Sequence, residues 1–235
     1  MSSPQFLRIG RRHSPIKQER WWSRYARVYD SLWAGDLSDI LARAVVAHAG
    51  PTTGLTVDIG CGTGLISQHL VHNGHRVVCV DQNAAMLRRL TERLPGTWVA
   101  LGSVDDLPLR PHSAHTVIAT NLLHLHPEPV RAFARLVDLL VPSGRLLCSW
   151  PRDDAGPWRV AVAEHRAGLG AGRIAARTCG RIVTGLLAPR PSRRIPVRTL
   201  MDSIVDFTRR GALTLDCVDL PDAEQTLVVL GRAEP

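Results

Sequence analysis

The run Val57-Asp58-Ile59-Gly60-Cys61-Gly62-Thr63-Gly64 constrains this chain more than any other stretch. Leu55 and Val57 open a buried strand, and Leu65, Ile66 and Leu70 begin a helix behind the run. Three glycines at alternate positions let the backbone turn sharply and let a ligand come close where a side chain would stand in the way. The helix then turns unpaired N–H groups toward that ligand. A strand, a glycine turn and a helix in this order predict an α/β fold with a binding site at the strand end.

Spacing separates this turn from a dinucleotide site. The dinucleotide fingerprint is G-x-G-x-x-G/A, whereas here the glycines fall as G-x-G-x-G and Leu65 takes the place of the third small residue. A leucine there crowds the helix against the sheet. Asp58 argues the same way, because a carboxylate repels pyrophosphate and favours a ligand that carries positive charge. His75-Arg76-Val77-Val78-Cys79-Val80-Asp81 reads as a second strand, and Asp81 lies 21 positions after Gly60. That is the spacing of a carboxylate that accepts hydrogen bonds from ribose hydroxyls, although a helix N-cap has the same residue type. Asn83 to Leu87 opens the next helix.

These residues resemble motif I and the following acidic strand end of the class I S-adenosylmethionine (SAM)-dependent methyltransferases. The resemblance continues in Gly102-Ser103-Val104-Asp105-Asp106-Leu107-Pro108, which is similar to the family's G-D-A-E-x-L-P segment beside the adenine, with Ser103 in place of the usual acid. It continues again in Asn121-Leu122-Leu123-His124-Leu125-His126-Pro127-Glu128-Pro129, after a fourth strand from His115. That stretch resembles the "LHHLPDP" loop of the ubiquinone/menaquinone-type branch. Val130 to Leu140 is expected as a helix, Val141-Pro142-Ser143-Gly144 as a turn and Arg145 to Trp150 as a fifth strand.

The resemblance implies a Rossmann-like three-layer α/β sandwich with a seven-stranded, mostly parallel sheet and an antiparallel last strand. Leu213 to Val218 and Thr226 to Leu230 supply the closing hairpin. It implies SAM as cofactor, S-adenosylhomocysteine as product, and no metal. Carried over residue by residue, the cofactor site is Asp58, Gly60, Cys61, Gly62, Gly64, Asp81, Gln82, Met86, Ser103, Val104, Asp105 and Asn121. Tyr25 and Tyr29 join it from an N-terminal helix read over Glu19 to Trp33, since aromatic faces attract a sulfonium. That helix packing its aromatics on the core is the equal alternative. Trp33, Arg173 and Arg177 are expected to face the acceptor. His124 and His126 are the candidate bases if the acceptor must lose a proton.

With 235 residues and 45% apolar content the chain is read as one domain. Residues 1–40 form a helical cap, 41–150 the cofactor core, 151–210 a substrate-cap insertion and 211–235 the hairpin. No apolar run reaches 18 residues and the N-terminus lacks a signal-type apolar stretch, so a cytoplasmic protein is expected. Five cysteines without a C-x-x-C pair point to small buried residues in a reducing compartment rather than to a metal or disulfide framework.

The formal net charge of +8 is uneven: residues 31–150 carry nine basic and nine acidic side chains, and residues 151–210 carry twelve basic and five acidic. The excess thus flanks the core. It suits an anionic small molecule or an anionic membrane surface, although a chain whose one lysine is Lys17 also shows the arginine bias of GC-rich coding. Arg173, Arg177 and Arg181, four apart, align on a helix as an anion-binding stripe, but Gly168, Gly170, Gly172, Gly180 and Gly185 weaken that helix. Nucleic acid is not expected, since Asn121-Leu122-Leu123-His124 lacks the Asn-Pro-Pro-Tyr signature and no RNA-binding module is appended.

Three functions stay open at this stage. The first is methylation of a nucleoside-, quinone- or polyketide-like or anionic metabolite. The second is headgroup N-methylation of a phospholipid at a membrane. The third is a SAM-binding domain without turnover.

Overall fold

The computed structural model describes residues 6–8, 16–187, 197–210 and 213–232. In chain order these form β1 (Phe6–Arg8), α1 (Ile16–Trp33), α2 (Asp36–His48), β2 (Leu55–Ile59), α3 (Ser67–His72), β3 (Arg76–Asp81), α4 (Ala84–Arg93), β4 (Trp98–Leu101) and β5 (Ala114–Thr120). A 3-10 turn (Leu123–Leu125) leads to α5 (Pro129–Asp138), β6 (Leu140–Pro151), α6 (Pro157–Arg166), α7 (Ala171–Leu187), α8 (Val197–Arg210), β7 (Leu213–Leu220) and β8 (Gln225–Arg232). The loop expected over Pro189 to Pro196 lies outside the described residues, as does much of the segment before α1.

One sheet runs β1-β4-β3-β2-β5-β6-β8-β7. The pairs from β1 to β6 are parallel, and β8 enters antiparallel between β6 and β7. Strands β2 to β8 are the seven expected. The short β1 adds an eighth at the edge, pairing Phe6 to Arg8 with Val99 to Leu101. The central strands are apolar on both faces because helices cover both. On one side Val57, Val117, Leu146 and Val228 meet Phe133 and Leu136 of α5 and Leu200 and Ile204 of α8. On the other, Cys79, Ile118 and Leu147 meet Leu41 and Val45 of α2, Leu70 of α3 and Leu90 of α4. Helix α8, within the expected cap, therefore belongs to a layer of the sandwich, which leaves α6 and α7 outside it.

Two local departures have physical causes. Val141 to Gly144 is not a free turn but a bulge inside β6: Leu140 pairs with Ala114, and pairing resumes at Arg145 with Thr116. Ser143 takes the left-handed conformation there (φ 61°). Helix α7 forms despite its glycines, and one of them is needed. A Cβ on Gly180 would come within 2.6 Å of Leu32 Cδ2, so its absence lets α7 lie against α1.

Strand β2 is the switch point. The chain builds outward from it to β3 and β4 on one side, then returns to β5 on the other. In such sheets ligands bind outside the carboxyl ends of the strands on either side of the reversal. Here those ends carry Asp58, Asp81 and Asn121.

Candidate functional site

The glycine run lies at the end of β2 as expected, but its amides are used within the protein. Gly60 and Cys61 N–H donate to Val80 O (2.7 and 3.1 Å), Gly64 N–H donates to Cys61 O (3.0 Å) and Gly62 N–H donates to Asp81 Oδ2 (3.0 Å). Helix α3 starts at Ser67, two residues later than Leu65, and has only six residues. The loop therefore offers shape more than free donors. Gly62 (φ +56°) is the open point: a Cβ there meets nothing within 4 Å, whereas one on Gly60 or Gly64 meets Leu122 or Leu90 at 3.1 or 2.9 Å.

Two carboxylates stand at this hollow. Asp58 is buried; Ser67 Oγ donates to its Oδ2, and its Oδ1 has no protein partner. Burial pushes its carboxyl up to about 7, the Asp81 charge adding to the rise and the Ser67 bond opposing it. Asp81 accepts from Gly62 N–H and, through Oδ1, from Asn83 N–H (2.8 Å). Burial still lifts it to about 6 against those two bonds. Across the switch point Asn121 sits in the left-handed region (φ 52°), its N–H on Ser149 O (2.8 Å) and its buried side-chain Oδ1 without a partner. Two buried acceptors without donors fit a ligand that brings positive charge and N–H or O–H groups. SAM, with its ammonium, sulfonium and ribose hydroxyls, fits that donor-poor site.

The remaining residues expected at the cofactor fall around the hollow in different ways. Cys61 is buried in the loop, and burial together with the neighbouring Cys79 raises its thiol pKa. Met86 is buried beneath Tyr25 and Ala26 of α1. Gln82 is exposed beside Asp81. Ser103 Oγ accepts from Asp105 N–H (3.2 Å), so the serine shapes its own turn. Val104 is part of the main core. Asp105 accepts from His126 Nε2 (3.1 Å), and Arg135 caps its carbonyl.

That contact defines His126. Its Nδ1 accepts from Glu128 N–H (3.1 Å), so the ring is the Nε2–H tautomer with both nitrogens engaged. His124 sits half-buried on the 3-10 turn after β5.

Helix α1 covers the site, and Tyr29 reports how closely. Burial raises its phenol pKa well above the usual value, and the charges of Tyr25, Asp81, Asp30 and Asp58 raise it further. The helix is fastened to the loop by a cluster that sequence reasoning did not single out. Asp30 accepts from Thr63 Oγ1 (2.5 Å) and from Arg93 Nη2 (2.6 Å), while Arg93 Nε also donates to Thr63 O (3.0 Å). Asn83, the N-cap of α4, adds a bond to Ser23 Oγ (3.1 Å). Only the adjacency of Tyr29 and Asp30 hinted at this; the partners lie 33 and 63 residues away.

The residues expected at the acceptor lie at the joint of α1 and α7. Trp33 Nε1 donates to Tyr25 Oη, and the Arg181 guanidinium stands 4.7 Å from the Trp33 ring. Arg177 and Arg181 turn inward onto Glu164 of α6, which is 2% exposed, at 3.2 and 2.5 Å. They also donate to Ala34 O and Leu32 O at the end of α1. An anion binding Arg177 would first have to displace Glu164. Arg173 is exposed near the start of α7 and does not join that cluster.

Residues 57–148 match the family described as "Methyltransferase domain". An uncharacterised methyltransferase of Mycobacterium tuberculosis H37Rv is 36% identical over 109 residues, which are 46% of this chain and 44% of that protein. A ubiquinone biosynthesis O-methyltransferase of Xanthomonas euvesicatoria is 32% identical over 120 residues, 48% of this chain and 50% of the relative. The chain thus matches about half the length of these relatives. Among solved structures, magnesium protoporphyrin IX methyltransferase of Synechocystis superposes with TM-score 0.57 at 16% identity, covering 92% of this chain and 96% of that one. A SAM-dependent methyltransferase of Aquifex aeolicus gives 0.58 at 13%, covering 92% and 98%. Residues 57–148 thus match a methyltransferase domain, in a chain with the fold of SAM-dependent methyltransferases of known structure.

Proposed function

We propose that this protein transfers a methyl group from SAM to a small-molecule acceptor. The observation that carries the reading is the pair of buried, unpartnered acceptors, Asp58 Oδ1 and Asn121 Oδ1, beside the open face of Gly62. SAM supplies an electrophilic methyl group when bound. The chain's part is to hold and align. Asp58 and Asp81 offer negative charge, Asn121 an acceptor, Gly62 room, and Tyr29 an aromatic roof that shuts out water. Alignment of two reactants alone lowers a barrier by about 7–11 kcal/mol in favourable cases. His124 and His126 are the candidate bases for an acceptor that must lose a proton, and His126 is held by Asp105 and the Glu128 amide.

The test is transfer of label from methyl-labelled SAM into an extract of the source cells, split into soluble and lipid fractions. Label in a soluble product supports the reading. Cofactor binding with no label in either fraction sinks it and favours a SAM-binding domain without turnover. Label confined to lipid moves the acceptor to a quinone or phospholipid.

Two results should accompany it. Asp81→Ala should weaken cofactor binding by roughly 1–3 kcal/mol, the scale of a lost hydrogen bond to a charged group. Calorimetric titration showing wild-type affinity would remove the ribose role.

Affinity should also rise with pH. The ligand-free protein keeps protons on Asp58 and Asp81 up to about 7 and 6, whereas an unfolded aspartate releases its proton near about 3.9. The stability these groups contribute is therefore present below about pH 4 and lost as pH rises through 6 to 7. A cation seated against Asp58 and ribose hydroxyls donating to Asp81 both favour the charged carboxylates and expel the protons, so binding tightens over the same interval, by about ten-fold or more between about pH 5.5 and 7.5. A dissociation constant flat across that range would remove the two acids from contact with the cofactor.

A further inference from the structure

Where β6 ends, a cavity of about 390 Å³ lies between the closing hairpin and α8. Strand register builds its floor. Trp150 pairs with Thr226 and Thr226 with Asp219, so these three side chains share one face of the sheet. Helix α8 covers that face, since Trp150 packs in one core with Leu200 and Ile204. Met201 and Asp202 of α8 and the loop from Arg152 to Asp154 complete the wall.

The charge of this wall runs against that of the chain. In a protein with formal net charge +8, it presents four carboxylates, Asp153, Asp154, Asp202 and Asp219, and one guanidinium, Arg152. Arg152 spans two of them, donating to Asp219 (2.5 Å) and to Asp154 (3.3 Å). Arg159 adds a second cation to Asp154 (3.0 Å). Among the described residues no cation pairs with Asp153 or Asp202, and both are exposed.

Carboxylates alone would be a solvated surface, and Trp150 makes the difference. Its side chain is fully buried, and its Nε1–H has no acceptor among the described residues. A buried indole N–H normally has one. One side of the cavity thus calls for positive charge and its floor for an oxygen lone pair. The cofactor hollow is close: Asn121 N–H bonds to the carbonyl of Ser149, the residue before Trp150. Strand β6 stands two strand spacings from β2, about 10 Å.

We propose that this cavity holds the charged end of the methyl acceptor, and that the acceptor is a hydroxylated amine such as an amino sugar or amino alcohol. Its ammonium sits against Asp153 and Asp202, and its oxygen accepts from Trp150 Nε1–H. The chain-wide charge suits an anion, and this wall reverses that preference at the point of contact. That the ligand is the acceptor rests on the methyl-transfer reading; that the cavity takes an ammonium does not.

The test is an NMR titration of the isotope-labelled full chain, without SAM, using glucosamine and ethanolamine. The readout is the indole N–H signal of Trp150, identified by its loss in Trp150→Phe. Both amines should move that signal saturably. N-acetylglucosamine, the same sugar without the charge, should bind about ten-fold more weakly than glucosamine. Asp153→Asn combined with Asp202→Asn should weaken glucosamine by about ten-fold. SAM affinity of that variant should stay at the wild-type value, which shows that it folds. An unmoved indole signal, equal binding of the two sugars, or glucosamine binding that survives the double asparagine change would each overturn the proposal. The acceptor half is read from the labelled extract: label in a product retained on a cation exchanger supports it, and label confined to neutral or anionic products overturns it. No label in any fraction fails the methyl-transfer reading, and the titration then decides the cavity alone.

Discussion

Replacing Glu164 with alanine should destabilise the protein by roughly 3–5 kcal/mol, the range for breaking a buried ion pair from one side. Glu164 is 2% exposed, and its carboxylate holds two guanidinium groups whose side chains are 7 and 19% exposed. Without it, Arg177 and Arg181 keep their bonds to Ala34 O and Leu32 O but lose the one negative charge beside them. Burying that excess is what makes the loss large. The surplus positive charge of the intact cluster is not wasted, because it faces the carbonyl end of α1, where the helix dipole is negative. For a chain of this size the melting temperature should fall on the order of 10 °C. Glu164→Gln, which keeps acceptor capacity but not charge, should fall between. A thermal melt that moves by less than about 2 °C would mean that water reaches both arginines.

Gly62→Ala should separate folding from binding. The position has φ +56°, so alanine there costs about 1–2 kcal/mol in backbone strain. Its Cβ touches no protein atom, so no packing penalty is added. The methyl instead enters the open space at Gly62, where the proposed cofactor would lie. Overpacking of a fitted site typically costs about 1–3 kcal/mol, so SAM affinity should drop by roughly 10- to 100-fold. Gly64→Ala makes the contrast: its Cβ would lie 2.9 Å from Leu90 Cγ, and the loss should appear first in stability. Calorimetric titration and thermal melts on both variants give the comparison. A Gly62→Ala protein that binds SAM like wild type would place the cofactor elsewhere.

The strands and the glycine turn were legible because their signals are local. Apolar runs of five to seven residues, an acid at the strand end and glycines at fixed spacing all act within one turn of chain, and six of the seven strands fall where those signals put them; the four-residue Trp98–Leu101 strand is too short to have been read as one. Helix α7 was harder. Its glycines argued against a helix, and the reason for Gly180 lies in Leu32, far away in sequence. The arginine stripe shows the same limit. Spacing placed Arg177 and Arg181 on one face, but their partner Glu164 lies 13 and 17 residues earlier on another helix. Without that partner, an internal ion cluster and an anion site look alike. Asp30, Thr63 and Arg93 were invisible as a set for the same reason. The edge strand β1 has three residues, too few for any period to emerge.

The fastening of α1 to the glycine loop has a kinetic meaning. Asp30 grips Thr63 at the middle of the very turn that a cofactor must face, and Arg93 locks both. On the proposed reading, the helix is then a clock as well as a cover: a cofactor seated under Tyr29 exchanges only as fast as one carboxylate releases a hydroxyl and a guanidinium together. Asp30→Ala should therefore shorten the dwell time of bound SAM in stopped-flow exchange, although Asp30 has no need to touch the cofactor, and an unchanged release rate would take that role from it.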